Sequence, residues 1–146
     1  MNAFEKKEII NETPEEVFSF ISDPTNAPDY IKDIVKIEIL TSNDISTGTR
    51  YRETRKIGKR QASAVIEVSH YKPPREVAFT SKLTGMKITY YYHTEAHEEG
   101  SELTLTCSIE SRGVMRLFNG IMKKMLLRQD GDHLNEVKKV IEAKEI

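Results

Sequence analysis

The sequence predicts an α+β fold in which a strongly curved antiparallel sheet of about seven strands wraps around a long C-terminal helix. Short segments of alternating apolar and polar residues, each bounded by turn residues, fill the chain from residue 34 to residue 111. Their connections are too short for parallel neighbours, which need crossovers of a dozen residues or more. From Gly113 to Ala143 the apolar spacing changes to three and four, as in an amphipathic helix.

The first third of the chain predicts one strand followed by two short helices. We expect the strand over residues 3 to 11. In Thr13-Pro14-Glu15-Glu16, the threonine can cap a helix, the proline suits its first turn, and the last glutamate completes a capping box. That helix ends at Asp23-Pro24, where a similar signal opens a second short helix that ends near Tyr30.

Six more strands are expected between residues 34 and 111. In the first of these, Val35, Ile37 and Ile39 alternate with polar neighbours, and a loop from Asn43 to Gly48 follows. The prolines of the Lys72–Arg75 segment cannot pair inside a sheet, so this segment is a turn. The predicted strands cover residues 34 to 40, 49 to 57, 61 to 71, 77 to 83, 87 to 97 and 102 to 111.

The predicted C-terminal helix carries two apolar stripes that point in different directions. At about 100° per residue, the first stripe comprises Val114, Leu117, Phe118, Ile121 and Met125, and the second comprises Leu134, Val137 and Ile141. A mid-helix glycine, Gly131, lies where the face changes, so we expect a bend between Arg128 and Asp132. The second stripe would anchor the helix to the sheet. The first would line a pocket mouth, act as a gate, or contact a second copy in a homodimer.

Composition excludes several classes of function. The 146 residues fit a single domain over residues 1–146, and 22 basic against 23 acidic residues give a net charge of -1. This balance disfavours nucleic acid or an anionic membrane as the main partner. The single cysteine, Cys107, excludes an internal disulfide and a cysteine-built metal site. Without a signal peptide or a long apolar run, we expect a cytoplasmic protein with no membrane insertion.

Several motifs along the whole chain resemble a known superfamily. They are Thr13-Pro14-Glu15-Glu16-Val17-Phe18, Gly48-Thr49-Arg50-Tyr51, Tyr71-Lys72-Pro73-Pro74-Arg75, Gly100-Ser101-Glu102-Leu103-Thr104-Leu105, and the closing Leu134, Val137 and Lys138. This pattern is similar to the START/Bet v 1-like (SRPBCC) superfamily, in particular its polyketide cyclase/dehydrase and lipid transport branch. The resemblance implies a helix-grip fold with an internal cavity for a hydrophobic ligand. It does not transfer an activity, because members of one fold serve different functions.

Strand parity predicts which side chains face such a cavity. The strand from Thr49 to Ile57 has apolar residues at both ends of one parity, which carries Glu53 and Arg55 inward as well. Charges in an apolar interior must be paired, so these two form either a polar handle for a ligand or a pair in water at the sheet rim. The expected ligand-binding residues are Tyr30, Tyr51, Glu53, Arg55, Ala64, Ile66, Phe79, Tyr90, Tyr92, Phe118, Ile121, Met122 and Met125. Tyr90 and Tyr92 are better explained as plain core tyrosines that find hydrogen-bond partners, and Tyr30 either guards a pocket mouth or packs against its neighbours.

No catalytic, cofactor or metal signature accompanies these residues. His93 and His97 lie four apart on a predicted strand and therefore over about 12 Å apart, too far to share a metal ion. The only candidate for a general base is Glu53, with Arg55 or a tyrosine polarising a carbonyl.

Three functions follow from the sequence. The first is binding or transport of a small hydrophobic or amphipathic molecule in a cavity between sheet and helix, with no cofactor. A cyclase, aromatase or dehydratase using that cavity is the second. The third is a protein-interaction module without a ligand, whose helix face binds a partner.

Overall fold

The computed structural model describes residues 2–41 and 44–144, and its centre is one seven-stranded antiparallel sheet in the order β1-β7-β6-β5-β4-β3-β2. Every neighbouring pair of strands is antiparallel, as the short connections predict. The strands are β1 (Asn2–Ile10), β2 (Ile34–Ile39), β3 (Arg50–Ile57), β4 (Arg60–Lys72), β5 (Glu76–Leu83), β6 (Met86–His97) and β7 (Gly100–Ser111).

The two short helices after β1 lie where the start signals predict them. Helix α1 spans Pro14–Ile21, and a 3-10 helix spans Pro24–Asp29. The hydroxyl of Thr13 accepts a hydrogen bond from the Glu16 backbone N–H at 3.2 Å. The reciprocal half of the predicted capping box is wrong, because the Thr13 N–H donates to the Glu12 carboxylate at 3.0 Å instead. Glu12, the residue before the cap, therefore takes the place that the capping box assigns to Glu16.

The C-terminal segment is divided into three helical pieces. A 3-10 helix spans Gly113–Phe118, α2 spans Asn119–Asp130, and α3 spans His133–Ala143. The predicted break between Arg128 and Asp132 is confirmed at Gly131. A Cβ at this glycine would collide with the Leu127 carbonyl oxygen, so the tight passage from α2 to α3 requires glycine.

The predicted anchoring role of the second stripe is confirmed. Leu134, Val137 and Ile141 of α3 are buried in the main core together with apolar residues of α1, β1, β6 and β7. Polar contacts reinforce the docking, since the Asn11 backbone N–H donates to the Glu142 carboxylate at 2.9 Å. Cys107 is buried in a smaller cluster beneath α2, as its alternating strand predicts.

One expectation about an individual strand changes. On β2, Val35 is 47% exposed and Ile34 is buried, because the register with β3 shifts between Ile34 and Lys36. The shift turns the first apolar residue of the alternation outward. Part of the predicted Asn43–Gly48 loop lies outside the described residues.

Within the described ranges, no helix is long and apolar enough to span a membrane.

Candidate functional site

A cavity of about 370 Å³ lies between the sheet and the C-terminal segment. This volume falls within the range of about 300 to 1,000 Å³ that is typical of small-molecule sites. The strands β3, β4, β5 and β6 supply its floor, the 3-10 helix Pro24–Asp29 supplies one end, and α2 supplies the cover. Its walls are mostly apolar, and they include Ile66, Phe79 and Ile88.

Alternating strand geometry explains why β3 presents charged residues to this cavity. Tyr51, Glu53, Arg55 and Ile57 share one face of the strand, and all four line the cavity. The charged pair is therefore not a solvated pair at the rim. The side chains of Glu53 and Arg55 are 12% and 17% exposed, respectively.

One guanidinium bridges two carboxylates at the centre of the polar part of the cavity. Arg55 Nε donates to Glu53 Oε2 at 2.9 Å, and Arg55 Nη1 donates to Asp130 Oδ1 at 3.1 Å. The Tyr90 hydroxyl donates to the other oxygen of Asp130 in a short hydrogen bond. Burial lowers the pKa of Arg55, but the Asp130 and Glu53 carboxylates outweigh this and raise the pKa above its ordinary value. The formal charge of the cluster is −1, with one cation against two carboxylates.

Several hydrogen-bond donors of this site have no protein acceptor among the described residues. A guanidinium carries five N–H donors, and Arg55 uses two of them in the two ion pairs. The hydroxyls of Tyr30 and Tyr51 line the cavity without a side-chain hydrogen bond in the parts of the chain described. Burial, reinforced by the nearby Glu53 carboxylate, raises the pKa of both tyrosines, so both hydroxyls stay protonated. The site therefore offers donors to an oxygen acceptor.

A histidine packs behind the tyrosines. The Tyr92 hydroxyl and His133 Nε2 are hydrogen-bonded at 2.8 Å, and the rings of Tyr30, Tyr90 and Tyr92 lie within 6.1 Å of the His133 ring. Burial lowers the pKa of His133 to about 4, so its ring is neutral near pH 7. Its Nδ1 has no hydrogen-bond partner among the described residues. This ring holds the tyrosines in place without adding a charge.

The structure brings together most of the residues that the sequence predicts for the site. Ten of the thirteen line the cavity: Tyr30, Tyr51, Glu53, Arg55, Ala64, Ile66, Phe79, Tyr90, Tyr92 and Met125. The expected position of three others is corrected, since Phe118, Ile121 and Met122 do not line it. Phe118 and Ile121 are exposed, while Met122 packs against the small cluster around Cys107. Within the first stripe, Phe118 and Ile121 turn away from the cavity while Met125 lines it, because α2 presents Leu126 and Asp130 inward.

Sequence reasoning missed Asp130 and His133. Both lie at the break between α2 and α3, where the side of the helix that faces the sheet depends on the local geometry of Gly131. A signal was nevertheless present. Met122, Leu126 and Asp130 are spaced by four, which places a carboxylate on the inner, apolar side of the helix.

Within the described ranges, no group of three or more His, Cys, Asp or Glu side chains is arranged to hold a metal ion. The site's polar chemistry therefore lies in the Arg55 cluster and the tyrosines. Such an arrangement can orient a bound molecule and polarise an oxygen acceptor.

Comparisons with known proteins agree with this architecture. Among curated proteins, none matches the sequence. The chain resembles the solved structure of Ara h 8.0201 with a TM-score of 0.76 at 15% identity, covering 96% of this chain and 97% of that one. It resembles the Zhui aromatase/cyclase from Streptomyces sp. R1128 with a TM-score of 0.78 at 14% identity, covering 98% and 94%.

A third similar structure is the di-domain aromatase/cyclase StfQ of the steffimycin biosynthetic pathway. Its TM-score is 0.77 at 9% identity, covering 97% of this chain and 51% of that one. At such identities the three structures support the helix-grip fold alone. The sequence itself matches the family model described as polyketide cyclase/dehydrase and lipid transport over residues 1–142. This chain therefore belongs to the polyketide cyclase/dehydrase and lipid transport family.

Proposed function

We propose that the protein binds a small, mostly apolar molecule carrying a neutral oxygen acceptor, held in the cavity between sheet and α2. The observation that carries this proposal is the coincidence of a cavity of about 370 Å³ with donors that lack an acceptor in the described part of the chain. An apolar body would lie against Ile66, Phe79 and Ile88. Its carbonyl or hydroxyl oxygen would accept from Arg55 or from the tyrosine hydroxyls.

The charge of the cluster narrows the class of ligand. The single guanidinium already pairs with Glu53 and Asp130, so no surplus positive charge remains for a carboxylate ligand. A third carboxylate would be repelled in a partly desolvated site. We therefore favour a ketone, phenol or alcohol over a fatty acid.

A matched pair of probes tests this preference. Isothermal titration calorimetry with acetylnaphthalene and naphthoate compares a neutral carbonyl with a carboxylate on the same ring system. We expect the ketone to bind at least about tenfold more tightly, a difference of about 1.4 kcal/mol. Equal affinity, or tighter binding of naphthoate, would contradict the proposed polarity of the site.

Two neighbouring positions on β4 test the place of binding. Ala64 lines the cavity, and Ala64→Phe fills it, so binding of the ketone should be lost. Val65 is 45% exposed on the opposite face of the strand, and Val65→Phe should leave binding unchanged. Tyr51→Phe removes one unpaired donor and should weaken binding by about twofold to tenfold. If Ala64→Phe binds the ketone as well as the parent protein does, the cavity is not the site.

A second candidate function is chemistry of the cyclase or aromatase type in the same cavity. The observation in its favour is the presence of a carboxylate and a guanidinium, Glu53 and Arg55, on the cavity wall. Glu53 would act as the general base, and Arg55 would polarise a carbonyl. Glu53 Oε2 already accepts from Arg55 Nε at 2.9 Å, so this oxygen is engaged within the protein rather than directed at a substrate proton, which is why binding is the leading proposal. Turnover of candidate polyketides that is unchanged in Glu53→Gln would eliminate this role.

Native mass spectrometry of protein purified from its own host distinguishes the proposals from a ligand-free interaction module. A stoichiometric apolar molecule of low mass supports the binding role. An empty protein together with a stoichiometric protein partner supports the interaction module. The cavity favours the first outcome.

A further inference from the structure

Large apolar side chains are concentrated at the end of the sheet where β3 meets β4, β5 meets β6, and β7 leads into the second 3-10 helix. Antiparallel pairing places these three connections at one end, since Ile57 pairs with Arg60, Leu83 with Met86, and Met86 with Ser111. Of the ten large hydrophobic residues exposed in the described ranges, seven lie on these turns, this 3-10 helix and α2. We call them the apolar rim: Ile57, Leu83, Val114, Leu117, Phe118, Ile121 and Met125.

Three of the rim residues on the 3-10 helix and α2 are mostly exposed. Leu117 is 81% exposed, Val114 is 74% exposed and Ile121 is 67% exposed. Single exposed apolar residues are ordinary, but a cluster of this kind marks a surface that contacts another apolar phase or partner.

The same segment carries an unusual concentration of positive charge. From residue 111 to residue 129 there are five basic residues and no acidic residue: Arg112, Arg116, Lys123, Lys124 and Arg128. All five are exposed, and none forms an ion pair with a described residue. The rest of the chain carries 17 basic residues (22 less these five) against 23 acidic ones. The net charge of the whole chain is therefore near neutral although the surface of the 3-10 helix and α2 is basic.

Helix geometry places charge and apolar residues on the same outer side of α2. Leu126 faces the small core cluster, and at about 100° per residue Ile121, Lys124 and Arg128 point roughly the opposite way. Apolar side chains flanked by unpaired cations match the boundary of an anionic bilayer, where apolar groups enter between headgroups and cations contact phosphates. A second copy of this chain fits less well, because a two-fold interface would place the same cations against each other.

We propose that the apolar rim and the five cations form a docking surface for an anionic lipid bilayer. The attachment is peripheral, with side chains seated among the headgroups rather than a helix crossing the membrane. Met125 belongs to the rim and also lines the cavity, so the cavity would open toward the docked bilayer. Exchange of an apolar ligand with the membrane would follow, and that consequence rests on the proposed function. The docking of the protein to the bilayer does not rest on the proposed function.

Vesicle co-sedimentation of the protein without added ligand tests the docking surface. Vesicles of phosphatidylcholine with about one-third phosphatidylglycerol should bind the protein, and pure phosphatidylcholine should bind it much more weakly. Binding should fall steeply as salt rises, because the Debye length shortens from about 10 Å at 0.1 M to about 3 Å at 1 M.

Paired variants separate the two components of the surface. Each basic residue near an anionic bilayer contributes about fivefold in affinity, so Lys124→Gln with Arg128→Gln, both on the outer side of α2, should weaken binding about 25-fold. The matched control, Lys72→Gln with Arg75→Gln, removes two exposed cations from the opposite end of β4 and β5 and should leave binding unchanged.

An asparagine substitution tests the apolar component. Leu117→Asn should weaken vesicle binding by roughly tenfold or more. Leu40, which is 41% exposed, directly follows β2 at the end of the sheet away from the apolar rim, so Leu40→Asn should leave vesicle binding unchanged. Circular dichroism of both variants should match that of the parent, since neither leucine is buried.

Three outcomes would overturn the proposal. They are no binding to anionic vesicles, equal binding to neutral and anionic vesicles, and a homodimer in sedimentation velocity that Leu117→Asn dissociates. The last outcome would assign the face to a second copy of the chain. Because ligand binding is measured separately by calorimetry, a failure of vesicle binding leaves the proposed cavity function standing, and the reverse also holds.

Discussion

Replacing Arg55 with methionine gives a sharp test of the buried ion cluster. The substitution keeps most of the side chain's apolar stem but removes the cation that contacts both Glu53 and Asp130. The Asp130 side chain is 2% exposed, so its carboxylate would remain in the interior with a single partner, the Tyr90 hydroxyl. Glu53, at 12% exposure, would lose its partner as well.

The expected loss of stability is large because the two carboxylates would remain buried without a cation. This cost exceeds that of the lost attraction within the ion pairs. Removing one member of a buried ion pair costs about 3 to 5 kcal/mol, whereas an exposed pair contributes about 0 to 1 kcal/mol. We therefore expect Arg55→Met to lower the free energy of unfolding by about 3 to 5 kcal/mol. Adding Asp130→Asn should recover part of this loss, because the amide removes the most deeply buried uncompensated charge.

The same strand provides the control. Arg52 also pairs with a glutamate, Glu38, at 3.7 Å, but the two side chains are 43% and 37% exposed. Arg52→Met should change stability by less than about 1 kcal/mol. Urea unfolding followed by circular dichroism, with comparable slopes for all variants, measures these differences. The reasoning fails if Arg55→Met is no more destabilising than Arg52→Met, or if adding Asp130→Asn makes the double variant less stable still.

Three further predictions concern individual buried or constrained positions. Because burial lowers the pKa of His133 to about 4 from 6.5, the unfolded chain takes up the proton first as the pH falls. The free energy of unfolding should thus drop by roughly 3 kcal/mol between about pH 6.5 and 4, and urea titrations of His133→Gln should lack this component. Gly100→Ala should be more destabilising in thermal unfolding than Gly58→Ala, since both glycines have positive φ but only the Cβ at residue 100 collides with the Ile10 carbonyl. Burial raises the pKa of Cys107 to about 12, so its alkylation by iodoacetamide should require unfolding, and fast alkylation of native protein would contradict this burial.

The fold was predictable because each of its elements has a local cause. Period-two alternation, short turns and proline positions determine the antiparallel order, and the cap at Thr13 determines where α1 begins. Where the prediction failed, the cause was not local. Val35 faces outward because of a one-residue register shift against β3, and such a shift depends on the partner strand rather than on the sequence of β2.

The site was predictable on the strands and not on the helix. Strand parity has a period of two, so apolar ends at Tyr51 and Ile57 were sufficient to turn Glu53 and Arg55 toward the cavity. On α2 the azimuth depends on how the preceding 3-10 helix and the break at Gly131 rotate the segment. Apolar content alone therefore placed Phe118 and Ile121 at the cavity, and Asp130 was missed.

Three features that each reduce stability meet at one place in this protein. A cavity of about 370 Å³ gives up packing contacts, a buried cluster of one cation and two carboxylates requires desolvation, and the Tyr30 and Tyr51 hydroxyls face the cavity without an acceptor among the described residues. Filling the space with larger apolar residues would remove all three penalties together, and α3, a few residues away, shows that this chain does pack a conventional core. Local violations of packing and polar satisfaction that coincide in space are expected at functional sites. In the proposed binding role, a bound molecule restores the packing contacts and accepts from the unpaired donors, so ligand binding accounts for two of the three features that a ligand-free scaffold leaves unexplained.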